Sequence, residues 1–250
     1  PRRRLKQVPL DFPEELVTDG ELRMTAIPTG GPIGSKLVVH TGGITGTPDG
    51  RLLVHTGDKM HILDRSMRVL QKVAFQYYGL IAASDDSVFH TRTDGEGVEV
   101  LHRSSHDGTV EAEYQLEGYD LYFPVLAPGG LLFCVIHEYD DYEERHEIIA
   151  LDAQTLQLRH RFGLGLLNHA CQMAVGGDEL YVCDSINDRL QVFSLAGEHR
   201  RSIVGEWRRP MRLCFAKDRL YLVGARHDEP PHGRRVLVLS LQGDILQVVT

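Results

Sequence analysis

The stretch of residues 171–204 constrains the fold more than any other part of the chain. It holds four short runs rich in Val, Leu, Ile and aromatic residues, at residues 171–175, 180–183, 189–195 and 200–204. Runs of this length are typical of β-strands rather than helices. The first run ends at Gly176-Gly177-Asp178, a composition that favours a tight turn. The stretch therefore predicts a four-stranded antiparallel sheet, whose strands are named A to D in chain order.

The B strand of this sheet recurs along the chain. Residues 219–223 (RLYLV) and 51–55 (RLLVH) repeat residues 179–183 (ELYVC), and looser copies lie at residues 87–90 and 131–134. From the first copy to the last, successive copies are 36, 43, 49 and 40 residues apart. A single sheet cannot bury both of its faces, and this spacing fits one blade per repeat of a β-propeller.

The repeats predict one all-β domain over residues 1–250, a β-propeller of four-stranded antiparallel blades with almost no helix. Six blades are favoured, and five or seven are the alternatives. Regular blades are predicted over residues 42–78, 79–118, 119–166, 167–208 and 209–250, preceded by an irregular N-terminal blade over residues 1–41.

Residues 181–193 (YVCDSINDRLQVF) resemble the core of an NHL repeat, in which YVADSxNxRIQVF is typical. The resemblance is close over this blade, and the other four copies share only the strand pattern. It implies a propeller fold in which Asp184, Asn187 and Arg189 brace the blade. A shared fold does not determine a function.

The composition argues against several classes of function. The formal net charge is −8, which argues against general nucleic-acid binding because that needs a basic face. No run of eighteen apolar residues is present, so no membrane-spanning helix is expected. The chain does not begin with Met, which predicts a processed form or a piece of a longer protein.

The four cysteines lie in apolar strand runs without CxxC spacing, at Cys134, Cys171, Cys183 and Cys214. This pattern predicts buried free thiols and an intracellular, reducing compartment.

In a four-stranded blade the D–A and B–C connections lie at one edge, here named the loop side. The short A–B and C–D turns lie at the other edge, the turn side. The loop side carries the variable connections and is predicted to bind a partner, because aromatic residues and arginine form binding hot spots. The candidate partner-binding residues are Tyr77, Tyr78, Tyr119, His169, Trp207, Arg208 and Arg209. The alternative is that these aromatic residues are buried and cap the blades.

The chain contains thirteen histidines, which raises the question of metal or acid–base chemistry. His40, Asp120 and His169 each precede strand A of a different blade, so they are candidate ligands for a divalent metal at the mouth of the central channel. Some propeller enzymes, such as the peptidylglycine amidating lyase, place metal-binding histidines in this general way. His55, His90 and His137, near the ends of B strands, are predicted to be partly buried between blades without a catalytic role.

The favoured function is a non-enzymatic binding or scaffold module without a cofactor, which presents its loop side to a protein partner. One alternative is a propeller hydrolase or lyase with a metal at the channel mouth. Another is a structural subunit of a larger assembly.

Overall fold

The computed structural model describes residues 15–18, 23–28, 35–39, 44–56, 59–74, 81–93, 99–139, 144–205, 207–225 and 235–249. All regular structure in these residues is β-strand, as the sequence predicts. No helix in the described ranges has the length and apolar character needed to cross a membrane. All the peptide bonds described are trans.

The strands form sheets in chain order. β1 (Glu15–Thr18), β2 (Arg23–Pro28) and β3 (Ser35–Val39) make a three-stranded antiparallel sheet. Blade 1 consists of β4 (Ile44–Gly46), β5 (Leu52–Thr56), β6 (Lys59–Leu63) and β7 (Val69–Ala74). Blade 2 consists of β8 (Ile81–Ala83), β9 (Ser87–Thr93), β10 (Glu99–Ser105) and β11 (Val110–Gln115).

The other three blades have the same order. Blade 3 consists of β12 (Tyr119–Ala127), β13 (Leu131–Tyr139), β14 (Glu144–Asp152) and β15 (Leu158–Phe162). Blade 4 consists of β16 (Ala170–Gly176), β17 (Glu179–Asp184), β18 (Arg189–Ser194) and β19 (His199–Val204). Blade 5 consists of β20 (Arg208–Ala216), β21 (Arg219–Ala225), β22 (Arg235–Leu239) and β23 (Ile245–Val249).

The prediction of a β-propeller built from four-stranded antiparallel blades is confirmed. Five four-stranded blades are observed among the described residues, where the repeat spacing favoured six and left five as an alternative. The strands described within residues 15–39 number three, so this segment does not supply a sixth four-stranded blade within the described ranges.

The chain divides into two compact units. The first comprises residues 1–77, 83–88 and 105–109, and it contains the three-stranded sheet and blade 1. In blade 1, strand β6 is buried along most of its length, with Met60, Ile62 and Leu63 in its core. The second unit comprises residues 78–82, 89–104 and 110–250, and it contains blades 3 to 5 and most of blade 2.

The core of the second unit lies between neighbouring blades. One apolar cluster joins blades 2 and 3, a second joins blades 3 and 4, and a third joins blades 4 and 5. The A strand β16 contacts the A strands of both neighbours, β12 and β20. Blades 3 and 4 therefore bury both faces, as expected of stacked sheets that cannot fold alone.

The turn side is built from short hydrogen-bonded turns. In the C–D turns of blades 4 and 5, the Ser194 N–H donates to the Glu198 carbonyl at 2.8 Å and the Ser240 N–H to the Asp244 carbonyl at 2.9 Å. Gly197 adopts φ 88° in the first of these turns, which glycine does without steric strain. These two C–D turns are therefore compact and closed by backbone hydrogen bonds.

Candidate functional site

A pocket of about 250 Å³ opens on the loop side of the second unit, where blade 3 meets strand β16 of blade 4. Blade 3 supplies most of its wall, and β16 with the residue before it supplies the rest. Its lining residues are Tyr122, Phe123, Val135, His137, His146, His169, Ala170 and Cys171. The pocket thus brings three imidazoles together with two larger aromatic rings.

Strand register explains how blade 3 places its two histidines. Asp120 on β12 lies opposite His137 on β13, which lies opposite His146 on β14. Residues directly opposite in antiparallel strands project from the same face of the sheet. The His137 and His146 rings are stacked, with centroids 4.1 Å apart and an interplanar angle of 14°. Both side chains are buried in the wall of the pocket.

His169 completes the histidine cluster from the D–A connection of blade 4. Its φ of 55° lies in the left-handed region, and its carbonyl accepts a 3.3 Å hydrogen bond from the Ser185 N–H. The exposed His169 ring meets the His146 ring edge-on, with centroids 5.8 Å apart. This backbone conformation directs the His169 ring over the pocket instead of along the strand.

Cys171 lies at the base of the same cluster. Its thiol donates to the His169 carbonyl at 3.5 Å, and burial raises the pKa of this thiol. A thiol held in its neutral form is a poor nucleophile. The geometry of Cys171 is therefore that of a wall residue.

The aromatic walls arise from a bulge in β12. Register shifts between Tyr122 and Val125, and Phe123 adopts φ 54°, so consecutive residues turn toward the pocket. The Tyr122 hydroxyl donates to the Asp120 carboxylate at 3.0 Å. On the blade 5 side, the Arg212 guanidinium lies 6.0 Å from the centre of the Phe123 ring.

Two carboxylates, Glu99 and Asp120, lie close together at the start of β12, outside the lining of the pocket. Glu99 of blade 2 accepts a 3.2 Å hydrogen bond from the Leu121 N–H, and its pKa is raised by burial and by the charge of Asp120. Glu147, by contrast, forms a two-pronged pair with Arg161, with N–O distances of 3.2 and 2.7 Å. The Glu147 charge is therefore neutralised locally, whereas those of Glu99 and Asp120 lie close together.

The predicted bracing residues form a hydrogen-bonded network around a buried carboxylate in blade 4. The fully buried Asp184 carboxylate accepts from Asn187 Nδ2 at 3.0 Å and from Arg189 Nε at 2.7 Å. It also accepts from the Asn168 N–H at 2.7 Å, and Arg189 Nη2 donates to the Leu166 carbonyl at 3.1 Å. These bonds tie the connection before β16 to blade 4, and this is the geometry expected of residues that brace.

The predicted partner-binding residues separate into different environments. Tyr119 is partly exposed and lies beneath the Arg161 guanidinium, 4.8 Å from its ring centre. Arg208 and Arg209 are exposed at the start of β20, and the Arg209 N–H donates to the Asp188 carboxylate at 2.6 Å. Asp188 follows strand B of blade 4, so a D–A and a B–C connection meet on the loop side, as predicted. Tyr77 and Tyr78 lie outside the described residues.

Trp207 is not on the exposed surface. Its side chain is 3% exposed and belongs to the apolar cluster between blades 4 and 5. A Cβ at Gly205 would lie 2.0 Å from the indole ring, so glycine leaves the space that Trp207 fills. The alternative in which a loop aromatic is buried and caps a blade therefore describes Trp207.

Of the three candidate metal ligands, His169 lines the pocket and Asp120 lies beside it, while His40 falls outside the described residues. Within the described part of the chain, no group of three or more His, Cys, Asp or Glu has the arrangement of a metal site. His90 and His137, predicted to be partly buried, are 4% and 5% exposed, and His90 Nε2 lies 3.0 Å from Ser104 Oγ. The structure does not describe the side chain of His55.

Sequence reasoning missed several pocket residues. The sequence analysis selects none of four lining residues as site residues: His146, Tyr122, Phe123 and Cys171. The symmetry of His137 and His146 about the B–C connection was an available signal, because hairpin pairing places such residues opposite each other.

Comparisons with known proteins bear on the fold. No protein-family model matches the chain, and no curated protein matches it. Solved structures do match, among them β-propeller proteins. A chain of a nidogen/laminin complex is 14% identical, with a TM-score of 0.64 over 86% of this chain and 83% of that one.

Two bacterial structures give similar values. A calcium-binding protein, regucalcin, from Agrobacterium tumefaciens is 15% identical, with a TM-score of 0.56 over 83% of this chain and 72% of that one. A functionally unknown protein from Desulfotomaculum acetoxidans is 16% identical, with a TM-score of 0.57 over 92% of this chain and 79% of that one. At these identities the likeness shows the fold, and a propeller fold accommodates many functions.

Proposed function

We propose that this protein is a binding module of the NHL type that engages a protein partner through its loop side, with the histidine-lined pocket as the anchor point. The observation that carries the proposal is the pocket of about 250 Å³ on that side, bounded by three imidazoles and two aromatic rings. Binding energy at interfaces is concentrated where an anchor side chain fills a well-formed pocket.

The surroundings of the pocket suit this role. Exposed Arg208 and Arg209 stand at the next D–A connection, and the exposed ring of His169 stands at the pocket itself. The turn side, in contrast, is made of compact turns whose polar groups bond to one another. The similarity to a chain of a nidogen/laminin complex is compatible with a protein partner.

The enzyme alternative needs an activated group or a metal. In the described residues Cys171 is held as a neutral thiol, and none of the residue clusters has metal-site geometry. Metal analysis of the purified protein tests this alternative directly, because a stoichiometric divalent ion would favour the hydrolase or lyase reading.

Site-specific photo-crosslinking tests the binding proposal. One protein carries benzoylphenylalanine at position 169 beside the pocket, and the control carries it at position 218, in the A–B turn of blade 5. We expect a partner to be cross-linked from position 169 and not from 218. That partner, made separately, should bind the unlabelled protein, and Ala170→Met should weaken binding at least roughly tenfold by filling the pocket.

Three outcomes would overturn the proposal. They are cross-linking from position 218 alone, the absence of any protein adduct at position 169, and a partner whose affinity is unaffected by Ala170→Met. Thermal melts of each variant show that any change in binding occurs in folded protein.

A further inference from the structure

The carboxylates near the pocket differ in whether a cation pairs with them. Asp120 and Glu99 form no ion pair with Lys or Arg within the described ranges, and each is close enough to the other for the Asp120 charge to raise the pKa of Glu99. The Asp120 carboxylate is joined to the pocket wall through the Tyr122 hydroxyl. The Asp120 carboxylate, bonded to a residue of the pocket wall, makes this side of the pocket favourable for a positive group.

The walls of the pocket are faces and edges of aromatic rings. Tyr122, Phe123 and three imidazoles contribute them, and the remaining lining is apolar. Aromatic ring faces attract cations electrostatically, most strongly where water is displaced. The region already contains such pairs, because Arg161 lies over Tyr119 at 4.8 Å and Arg212 lies near Phe123 at 6.0 Å.

We infer that the pocket takes a single cationic side chain, Lys or Arg, from a basic segment of the partner. This inference rests on the proposed function and specifies the chemistry of its anchor. The ring faces receive the cationic head or its apolar stem, and Asp120 supplies the opposite charge. A chain with a net charge of −8 also attracts a basic partner over longer distances.

Arg212 provides a sharp internal test because it is the cation nearest to the Phe123 wall. It repels an incoming cation and attracts an incoming anion. Asp120 acts in the opposite sense. Replacing each of the two residues therefore changes affinity in a direction that identifies the sign of the ligand's charge.

The experiment uses the full chain labelled with ¹³C at the histidine Cε1 positions, titrated with short peptides. The probes are acetyl-Gly-Arg-Gly-amide, its citrulline counterpart, which has the same shape without the charge, and its glutamate counterpart. His137→Gln and His169→Gln assign the pocket signals, and the distant His199 signal serves as the internal reference.

We expect the arginine peptide to shift the signals of His137 and His169, and to bind roughly tenfold more tightly than the citrulline peptide. Asp120→Asn should weaken arginine binding several-fold, because the amide still accepts from Tyr122 but carries no charge. Arg212→Met should strengthen it. Asp218→Asn, an exposed carboxylate on the turn side, should leave it unchanged.

Equal binding of arginine and citrulline would overturn the inference in favour of recognition by shape. Tighter glutamate binding, with the effects of Asp120→Asn and Arg212→Met reversed, would identify an anion site instead. Absence of binding by every probe would also overturn it. All three results leave the proposed function standing if Ala170→Met still weakens binding of the cross-linked partner at least roughly tenfold.

Discussion

Two neighbouring boundaries, between blades 3 and 4 and between blades 4 and 5, are built from the same repeat but are packed differently. Leu167 and Trp207 lie at equivalent positions, each two residues before a residue with positive φ, His169 and Arg209. Both side chains are buried in the cluster of their own boundary. Leu167 packs over Gly163, as the larger Trp207 fills the space over Gly205. A histidine-lined pocket opens at the first boundary, where blade 3 meets β16.

We therefore hypothesise that the first boundary admits a ligand and that the second contributes mainly to stability. At the boundary between blades 3 and 4, the imidazoles of His137 and His146 stack on each other. The apolar cluster of the same boundary is made mostly of aliphatic side chains. Substitutions at the two boundaries should therefore separate stability from binding.

Trp207→Ala should produce the largest loss of stability. Removal of a fully buried indole leaves a cavity between blades 4 and 5, and we expect a decrease of about 3–5 kcal/mol in the free energy of unfolding. Leu167→Ala, at the equivalent position, should lower it by about 2–3 kcal/mol because less surface is lost. Urea unfolding followed by fluorescence or circular dichroism measures both. A larger effect at Leu167 than at Trp207 would contradict the comparison.

Arg189→Ala should lower the free energy of unfolding by about 1–3 kcal/mol. The Asp184 carboxylate is fully buried, and loss of the 2.7 Å Arg189 bond leaves it with fewer donors. The folded fraction should keep its affinity for the partner. Arg159→Ala is a suitable control, because it removes a comparable pair to Asp152 at an exposed position. Full stability with lost binding would show that Arg189 is a binding residue.

The contributions of Glu179 and Glu99 to the free energy of unfolding should change in opposite directions with pH. Hydrogen bonding from Arg201 lowers the pKa of Glu179 from 4.5 to about 2. Its contribution is therefore complete above about pH 5 and is lost as the pH falls toward 2. Glu179→Gln should reduce stability by about 1 kcal/mol at pH 7, after allowance for screening by solvent, and by progressively less below pH 5.

Glu99 should behave in the reverse manner. Burial, followed by the charge of Asp120, raises its pKa above 4.5, so the ionised form disfavours the folded state as the pH rises through this range. Glu99→Gln should therefore be neutral or stabilising at pH 7 and lose that advantage in acid. Unfolding curves at pH 3, 5 and 7 for both variants test the pair. Parallel profiles for Glu99→Gln and Glu179→Gln would contradict the assignment.

Arg208→Ala should have the smallest effect on stability, within about 0.5 kcal/mol, because the side chain is exposed. Its effect on partner affinity should exceed its effect on stability if the loop side is the binding surface. A thermal melt beside a binding titration compares the two.

The sequence predicted the blades well because strands and turns are local patterns. The B-strand repeat located β5, β9, β13, β17 and β21, and the Asp–Asn–Arg set located the network around Asp184. Asp120 and His169 were selected for their position before strand A, and they do lie at one site.

The pocket itself could not be predicted from local pattern. His146 faces His137 only through the register across a B–C connection, and Phe123 enters the wall only through a bulge in β12. The sequence left open whether Trp207 is exposed or buried. In the structure its indole is buried, because Gly205 leaves space for it. Features that depend on register, bulges and residue volume need the packed structure.

The most direct test of the account measures stability and partner affinity together for two variants, Ala170→Met at the pocket and Trp207→Phe at the filled boundary. The account predicts that Ala170→Met changes unfolding free energy by less than about 1 kcal/mol and weakens binding at least roughly tenfold. It predicts that Trp207→Phe lowers stability by about 1–2 kcal/mol and leaves the affinity of the folded protein unchanged. Binding lost in Trp207→Phe and retained in Ala170→Met would contradict it.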